Sequence, residues 1–348
     1  MIVPFRYRMP VLNLLFLTTW GLAGAAAQEN NQGVPPKEGT LNTYLNREPT
    51  DPSGQLALVL QGMYQQQVDT TVVMFLLQYG NRIHLDRIYY PANTSDHEMI
   101  PGYVFTPATM QRGTKRPGLV IVHGGFHEKL DWRFFKLIDN AVSQGYAVIF
   151  PEYRGSAGYG EAIYTNSYGL TDVADVLAAA DYLAKKDFVD ATRMGILGHS
   201  RGGMTTLLAI EKAPKRFQAA VDIAGLTDFV AYMSYKPDAR RMEVAKEKEF
   251  GGKLPPENLP AYMEVSPINY VDAIQTPLLV LATSGDKIVP LALHTGRLID
   301  ALKARGKVFA SHIYDEAPGG HTFLFGDSDE QRDCFQRSFD WLAKYLKP

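Results

Sequence analysis

The chain has 348 residues, 46% of them hydrophobic and 21% charged, enough to build a real core in one large α/β domain with an appendage or in two small domains. Its 35 basic and 37 acidic residues leave a formal charge of −2, which indicates no nucleic acid or other polyanion as partner. The one cysteine, Cys334, excludes an internal disulfide and reads as a buried, inert thiol in a C-terminal helix.

Residues 1 to 27 have the composition of an export signal. Arg6 and Arg8 precede a largely apolar stretch from Val11 to Leu22, and Ala23-Gly24-Ala25-Ala26-Ala27 supplies the small residues of a cleavage site. The apolar middle is short for a membrane span, so the expectation is a periplasmic or secreted protein with no stable span after cleavage. Residues 28 to 82 form an N-terminal arm. It opens as a linker rich in Gln, Asn, Pro and Gly, then offers a possible helix from Gln55 to Gln67 and a second, apolar piece from Val72 to Tyr79.

Residues 83 to 348 read as one α/β domain. Ile83 to Tyr90 and Met99 to Thr106 suit two strands joined by a turn at Asn93-Thr94-Ser95-Asp96. The formal glycosylation sequon there is taken as turn chemistry. Strand and helix patterns then alternate: strands at Leu119 to Val122, Tyr146 to Phe150, Met194 to Leu197, Ala219 to Ile223, Leu278 to Leu281 and Val308 to Tyr314. Between them fall helices at Trp132 to Val142 and around Val173 to Leu183, another with Leu291, Leu298 and Leu302 on one face, and a closing one from Gln331 to Leu346. This alternation predicts a mainly parallel sheet covered on both sides. Residues 227 to 270, rich in aromatic residues, charges and prolines, interrupt it as a lid-like insertion.

The centre of the pattern is Gly198-His199-Ser200-Arg201-Gly202. An apolar run ends there, and a helical pattern with Met204, Leu207 and Leu208 starts at once. A strand that reverses sharply into a helix exposes the residue at its tip, and the flanking glycines remove the Cβ atoms that would collide. Ser200 therefore reads as a nucleophile. A serine needs a base, and the base needs a carboxylate to fix its tautomer. Three histidines follow Ser200. His294 falls in a helical pattern and His312 in the last strand, whereas His321 lies in a loop just past that strand, which makes it the base. Asp286, in the loop after Leu278 to Leu281, is the acid preferred over Asp315. The oxyanion hole is expected from the Arg201 N–H and the Gly124–Gly125 backbone. His123 and His127 are four apart, but the glycines between them argue against the helix that a metal pair at this spacing needs, so neither metal nor cofactor is expected.

His123-Gly124-Gly125, the run Tyr153-Arg154-Gly155-Ser156-Ala157-Gly158-Tyr159-Gly160, the Gly198–Gly203 segment, Asp286 with Val289-Pro290, and His321 together resemble the α/β-hydrolase fold. Within it, they resemble the catalytic domain of the prolyl oligopeptidase family of serine peptidases. The resemblance covers Ile83 to the C-terminus and gives Ser200, Asp286 and His321 the triad roles already argued from position. It departs at Phe126, where the family usually has Pro, at Glu152, where Asn or Asp is common, and at Ala282-Thr283, where His-Gly is common. Residues 28 to 82 are too few for the family's N-terminal β-propeller. The expectation is a hydrolase that takes a small ester or peptide through an acyl-enzyme. A pure carboxylesterase, a transferase and a non-catalytic binding protein are the other readings. Phe126, Tyr153, Arg154, Tyr159 and Tyr232 are the candidate substrate-binding residues, and Arg154 and Arg201 the candidates to meet a substrate carboxylate.

Overall fold

The computed structural model describes residues 52–110, 113–165 and 168–347. The expected export signal and the first part of the expected arm lie outside them. The arm's described part is one continuous helix, α1 (Pro52–Tyr79), where the sequence suggested two pieces. No glycine or proline falls in the polar stretch between those pieces, so nothing there breaks the helix. Val68, Thr71, Phe75 and Tyr79 repeat at helical spacing on its buried face, and Phe75 packs against Phe105 and Phe135 with ring centroids 4.9 and 5.1 Å away.

The antiparallel pair β1 (Ile83–Pro91) and β2 (Met99–Pro107) follows, as the turn residues predicted. Then come β3 (Arg116–Val122), α2 (Phe135–Ser143) behind a 3-10 turn at Trp132–Phe134, β4 (Ala147–Pro151), α3 (Thr171–Ala184), β5 (Val189–His199), α4 (Arg201–Lys212) and β6 (Ala219–Ile223). The insertion folds as α5 (Phe229–Tyr235), α6 (Asp238–Ala245) and α7 (Leu259–Glu264), held by Phe229, Phe250 and Tyr262 stacked at centroid distances of 5.6 and 4.1 Å. The chain closes with β7 (Leu278–Thr283), α8 (Thr295–Ala304), β8 (Phe309–Tyr314) and α9 (Asp329–Leu346). α8 starts after Leu291, so that residue precedes the helix rather than sharing its apolar face.

The eight strands form one sheet in the order β1-β2-β4-β3-β5-β6-β7-β8, antiparallel from β1 to β4 and parallel from there on. Every residue of β4, β6 and β7 is buried, which is why these strands are nearly continuous apolar runs rather than alternating, with Asp222 in β6 and Thr283 in β7 the buried exceptions. Side chains from β3 divide between two cores. Val120 and Val122 pack toward α3 and α4, and Leu119 and Ile121 toward α2 and α9. The strand order turns back between β3 and β5, so the loops leaving these two strands open a crevice at the C-terminal edge, the usual ligand position in such sheets.

Candidate active site

Ser200 sits between β5 and α4 with φ 59° and ψ −121°, a left-handed backbone that a non-glycine residue adopts only when its surroundings enforce it. Here they do. The Ser200 N–H donates to the Ile223 carbonyl at 2.9 Å, and a Cβ on Gly198 or Gly202 would run into neighbouring carbonyls. The turn thus holds the hydroxyl out at the strand edge.

His321, in the loop after β8, lies with Nε2 2.8 Å from Ser200 Oγ and Nδ1 2.7 Å from Asp286 Oδ2. Asp286 comes from the loop after β7, and its other oxygen accepts the Ile288 and Val289 N–H groups, each at 2.8 Å. Burial works to raise this carboxyl, but the His321 bond and charge and the two backbone N–H groups outweigh it and hold it below its ordinary range. Asp315, the rival acid, accepts instead from Ser284 Oγ at 2.9 Å. His294 precedes α8, and its ring meets the Thr227 N–H at 3.3 Å and the Tyr235 hydroxyl at 2.8 Å rather than Ser200.

Gly124 passes so close to the serine turn that a Cβ there would stand 2.9 Å from the His199 carbonyl and 3.1 Å from Ser200 Cβ. The loop from His123 therefore presses its backbone against Ser200, beside the N-terminus of α4 where Arg201 begins the helix. His123 and His127 point to different partners. His123 Nε2 meets Ser156 Oγ at 3.0 Å, while His127 Nδ1 meets the Gly155 carbonyl at 2.9 Å.

A cavity of about 320 Å³ opens beside Ser200 and His321. Phe126, Tyr232, Arg240 and Ile288 are in its wall, so two of the five expected substrate-contacting residues are placed there. The other three are not. Tyr153 is buried beneath the glycine loop, its ring 4.2 Å from that of His123 and its hydroxyl donating to the His123 carbonyl at 2.7 Å. Tyr159 shares a 2.8 Å hydroxyl bond with Tyr103. Arg154 is spent on Asp175, Asp96 and Thr94, at 2.7 to 2.9 Å. Arg201 does reach the cavity, but its guanidinium is held by Asp172 at 3.1 Å and the Gly125 carbonyl at 3.2 Å.

Two contributors escaped the sequence reading. His199 Nε2 donates to the His321 carbonyl at 2.8 Å, and burial drives the His199 pKa down to about 3, so a neutral imidazole holds the backbone of His321. The residue between glycine and serine is variable in the motif, so only the fold marks it. Arg240, from α6, lies with its guanidinium carbon 3.3 Å from the Phe126 ring centroid and its NH1 2.6 Å from Glu243. Nothing in a charged surface helix announces that contact.

A family model described as the prolyl oligopeptidase family matches residues 132–348. The chain belongs to that family. It carries the family's serine-hydrolase catalytic domain on an α/β-hydrolase fold. It is 30% identical over 218 residues to an uncharacterized peptidase, YuxL, of Bacillus subtilis, a match covering 62% of this chain and 32% of that protein. An acylamino-acid-releasing enzyme of Arabidopsis thaliana is 30% identical over 217 residues, covering 59% and 27% respectively. Among solved structures, a Mycobacterium tuberculosis puromycin-hydrolyzing peptidase matches with a TM-score of 0.63 and 26% identity, over 75% of this chain and 39% of that one. A Pyrococcus horikoshii acylaminoacyl peptidase superposes with a TM-score of 0.66 at 22% identity, over 78% and 43%. The chain spans about a third of the length of these curated relatives.

Proposed function

We propose that the protein is an exported serine hydrolase that cleaves a small ester or peptide bond through an acyl-enzyme on Ser200. The observation that carries this reading is the unbroken relay from Ser200 Oγ through His321 to Asp286, with links of 2.8 and 2.7 Å. As Oγ bonds to the substrate carbonyl carbon, its proton passes to His321 Nε2, and Asp286 steadies the imidazolium formed. The carbonyl oxygen becomes an oxyanion facing the Arg201 N–H and the Gly124–Gly125 backbone. Collapse breaks the bond to the leaving group, which takes the proton back from His321. Water repeats the sequence on the acyl-enzyme and releases the acid.

The acyl part belongs in the cavity beside Phe126 and Tyr232. Arg240 and Arg133 in its wall are paired with Glu243 and Glu128, which favours an uncharged group there. The activities for which these relatives are named, acylamino-acid release and puromycin hydrolysis, support an aminoacyl bond as substrate. Export rests on the composition of residues 1 to 27. Among the described residues no helix is long and apolar enough to cross a membrane.

The test is a fluorophosphonate probe applied to the purified protein, with the adduct located by mass spectrometry. Labelling at Ser200, lost in His321→Ala, together with hydrolysis lost in Ser200→Ala, is the expected result. No labelling of folded protein would favour a binding protein on a hydrolase fold. Comparing kcat/KM for an ester and an aminoacyl amide with one acyl group then separates esterase from peptidase.

A further inference from the structure

A second cavity, of about 520 Å³, adjoins the first and shares Arg133, Thr322 and Phe325 with it. Trp132, Pro318, Gly319 and residues 326 to 328 complete its lining. Trp132 is 63% exposed, a large apolar surface left in water at the lip of a hollow. Its backbone is held in place: Asp131 caps the 3-10 turn through the Arg133 N–H at 2.9 Å. Phe325 is braced edge-on by Phe134 and His199 at centroid distances of 5.0 and 5.1 Å. The charges in this wall already have partners. Arg133 pairs with Asp131 and Glu128, and Asp327 with Lys136 and Arg332.

Resting on the hydrolase reading above, we infer that this hollow receives the leaving group, and that it selects an uncharged aromatic alcohol or amine. The direction follows from proton transfer. His321 has to hand its proton to the departing oxygen or nitrogen, so that group leaves on the imidazole side of the serine. Thr322 and Phe325, one and four residues after His321, line both cavities and so connect the imidazole side of the serine to the second. The acyl group stays in the first cavity with Phe126 and Tyr232. A flat ring between Trp132 and Phe325 would cover the exposed indole and displace water from both faces.

The experiment compares methyl and benzyl esters of one N-acetyl amino acid, whose alcohols are of similar acidity, in the wild type, Trp132→Ala and Trp132→Phe. The wild type is expected to prefer the benzyl ester. Trp132→Ala should lose roughly tenfold in kcat/KM for the benzyl ester and nothing for the methyl ester, and Trp132→Phe should keep most of the preference. Fluorophosphonate labelling at the wild-type rate shows that the variants retain an assembled site. An unchanged benzyl-to-methyl ratio in Trp132→Ala, or an equal fall for both esters, overturns the subsite and leaves the hydrolase reading standing. A wild type that neither labels nor cleaves either ester overturns the hydrolase reading and the subsite with it.

Discussion

Glu152 stands fully buried at the exit of β4 and connects the two ends of the glycine loop. Its Oε1 accepts the Leu130 N–H at 2.8 Å, and its Oε2 lies 3.7 Å from His123 Nε2. Burial lifts the Glu152 carboxyl to about 8, offset only in part by the Leu130 N–H and Lys129, and burial drives His123 down to about 3. At neutral pH both groups are therefore mainly uncharged, and the pair is a neutral polar contact rather than a salt bridge. The linkage has a definite sign. With the folded pKa raised above the ordinary 4.5, the stability that Glu152 contributes is complete below that value and is lost as pH rises through about 8. Each pH unit across that window costs at most about 1.4 kcal/mol. Glu152→Gln has no such loss, so its melting temperature should gain on the wild type between pH 5 and pH 8.5. Thermal melts at the two pH values check this, and a pH-independent difference would remove Glu152 as the responsible group. The meeting of Ser200, His321 and Asp286 could be anticipated from chain order because each sits in a loop after its own strand. The contact of Glu152 with His123 could not, since two residues 29 positions apart meet only through the pairing of β3 with β4.

At the scale of elements, the run from Tyr153 to Gly160 is a corner that locks the sheet edge. Arg154 is bound to Asp175 of α3 and to Asp96 and Thr94 of the β1–β2 turn, with its side chain and that of Asp175 only 6% and 0% exposed. Removing the cation strands a buried carboxylate, so Arg154→Met should lose roughly 3–5 kcal/mol of unfolding free energy in a urea titration. Its kcat/KM per folded molecule should stay within about twofold of the wild type, because the guanidinium lies outside the cavity walls. A large loss of kcat/KM at full stability would return Arg154 to the substrate. The sequence reading gave that residue a substrate role because an arginine near a nucleophile and an arginine in a buried network look alike in one dimension. The insertion shows a related limit. Its position was legible from the broken strand–helix rhythm, but its tether was not. Tyr235 and Lys236 donate to the Ile288 carbonyl at 3.2 and 2.8 Å, tying α5 to the loop that carries Asp286.

For the molecule as a whole, alternating strands and helices implied a parallel sheet, yet they could not order its strands. The reversal between β3 and β5 is what places the glycine loop opposite the serine turn, and it depends on which strands pair. The closing helix α9 completes the second core, with Phe335, Phe339, Leu342 and Leu346 packed toward the sheet. Cys334 lies among them, fully buried, and burial pushes its thiol well up from the ordinary value. With no other thiol in the chain, a disulfide-exchange dye added to the native protein has nothing to attack until α9 lifts away. The dye's colour should then develop at the rate of that opening, and its urea dependence should match the slope of global unfolding. Rapid colour in native buffer would mean that α9 detaches by itself. The cysteine thereby serves as an internal clock for the closing helix, readable without adding a label to the protein.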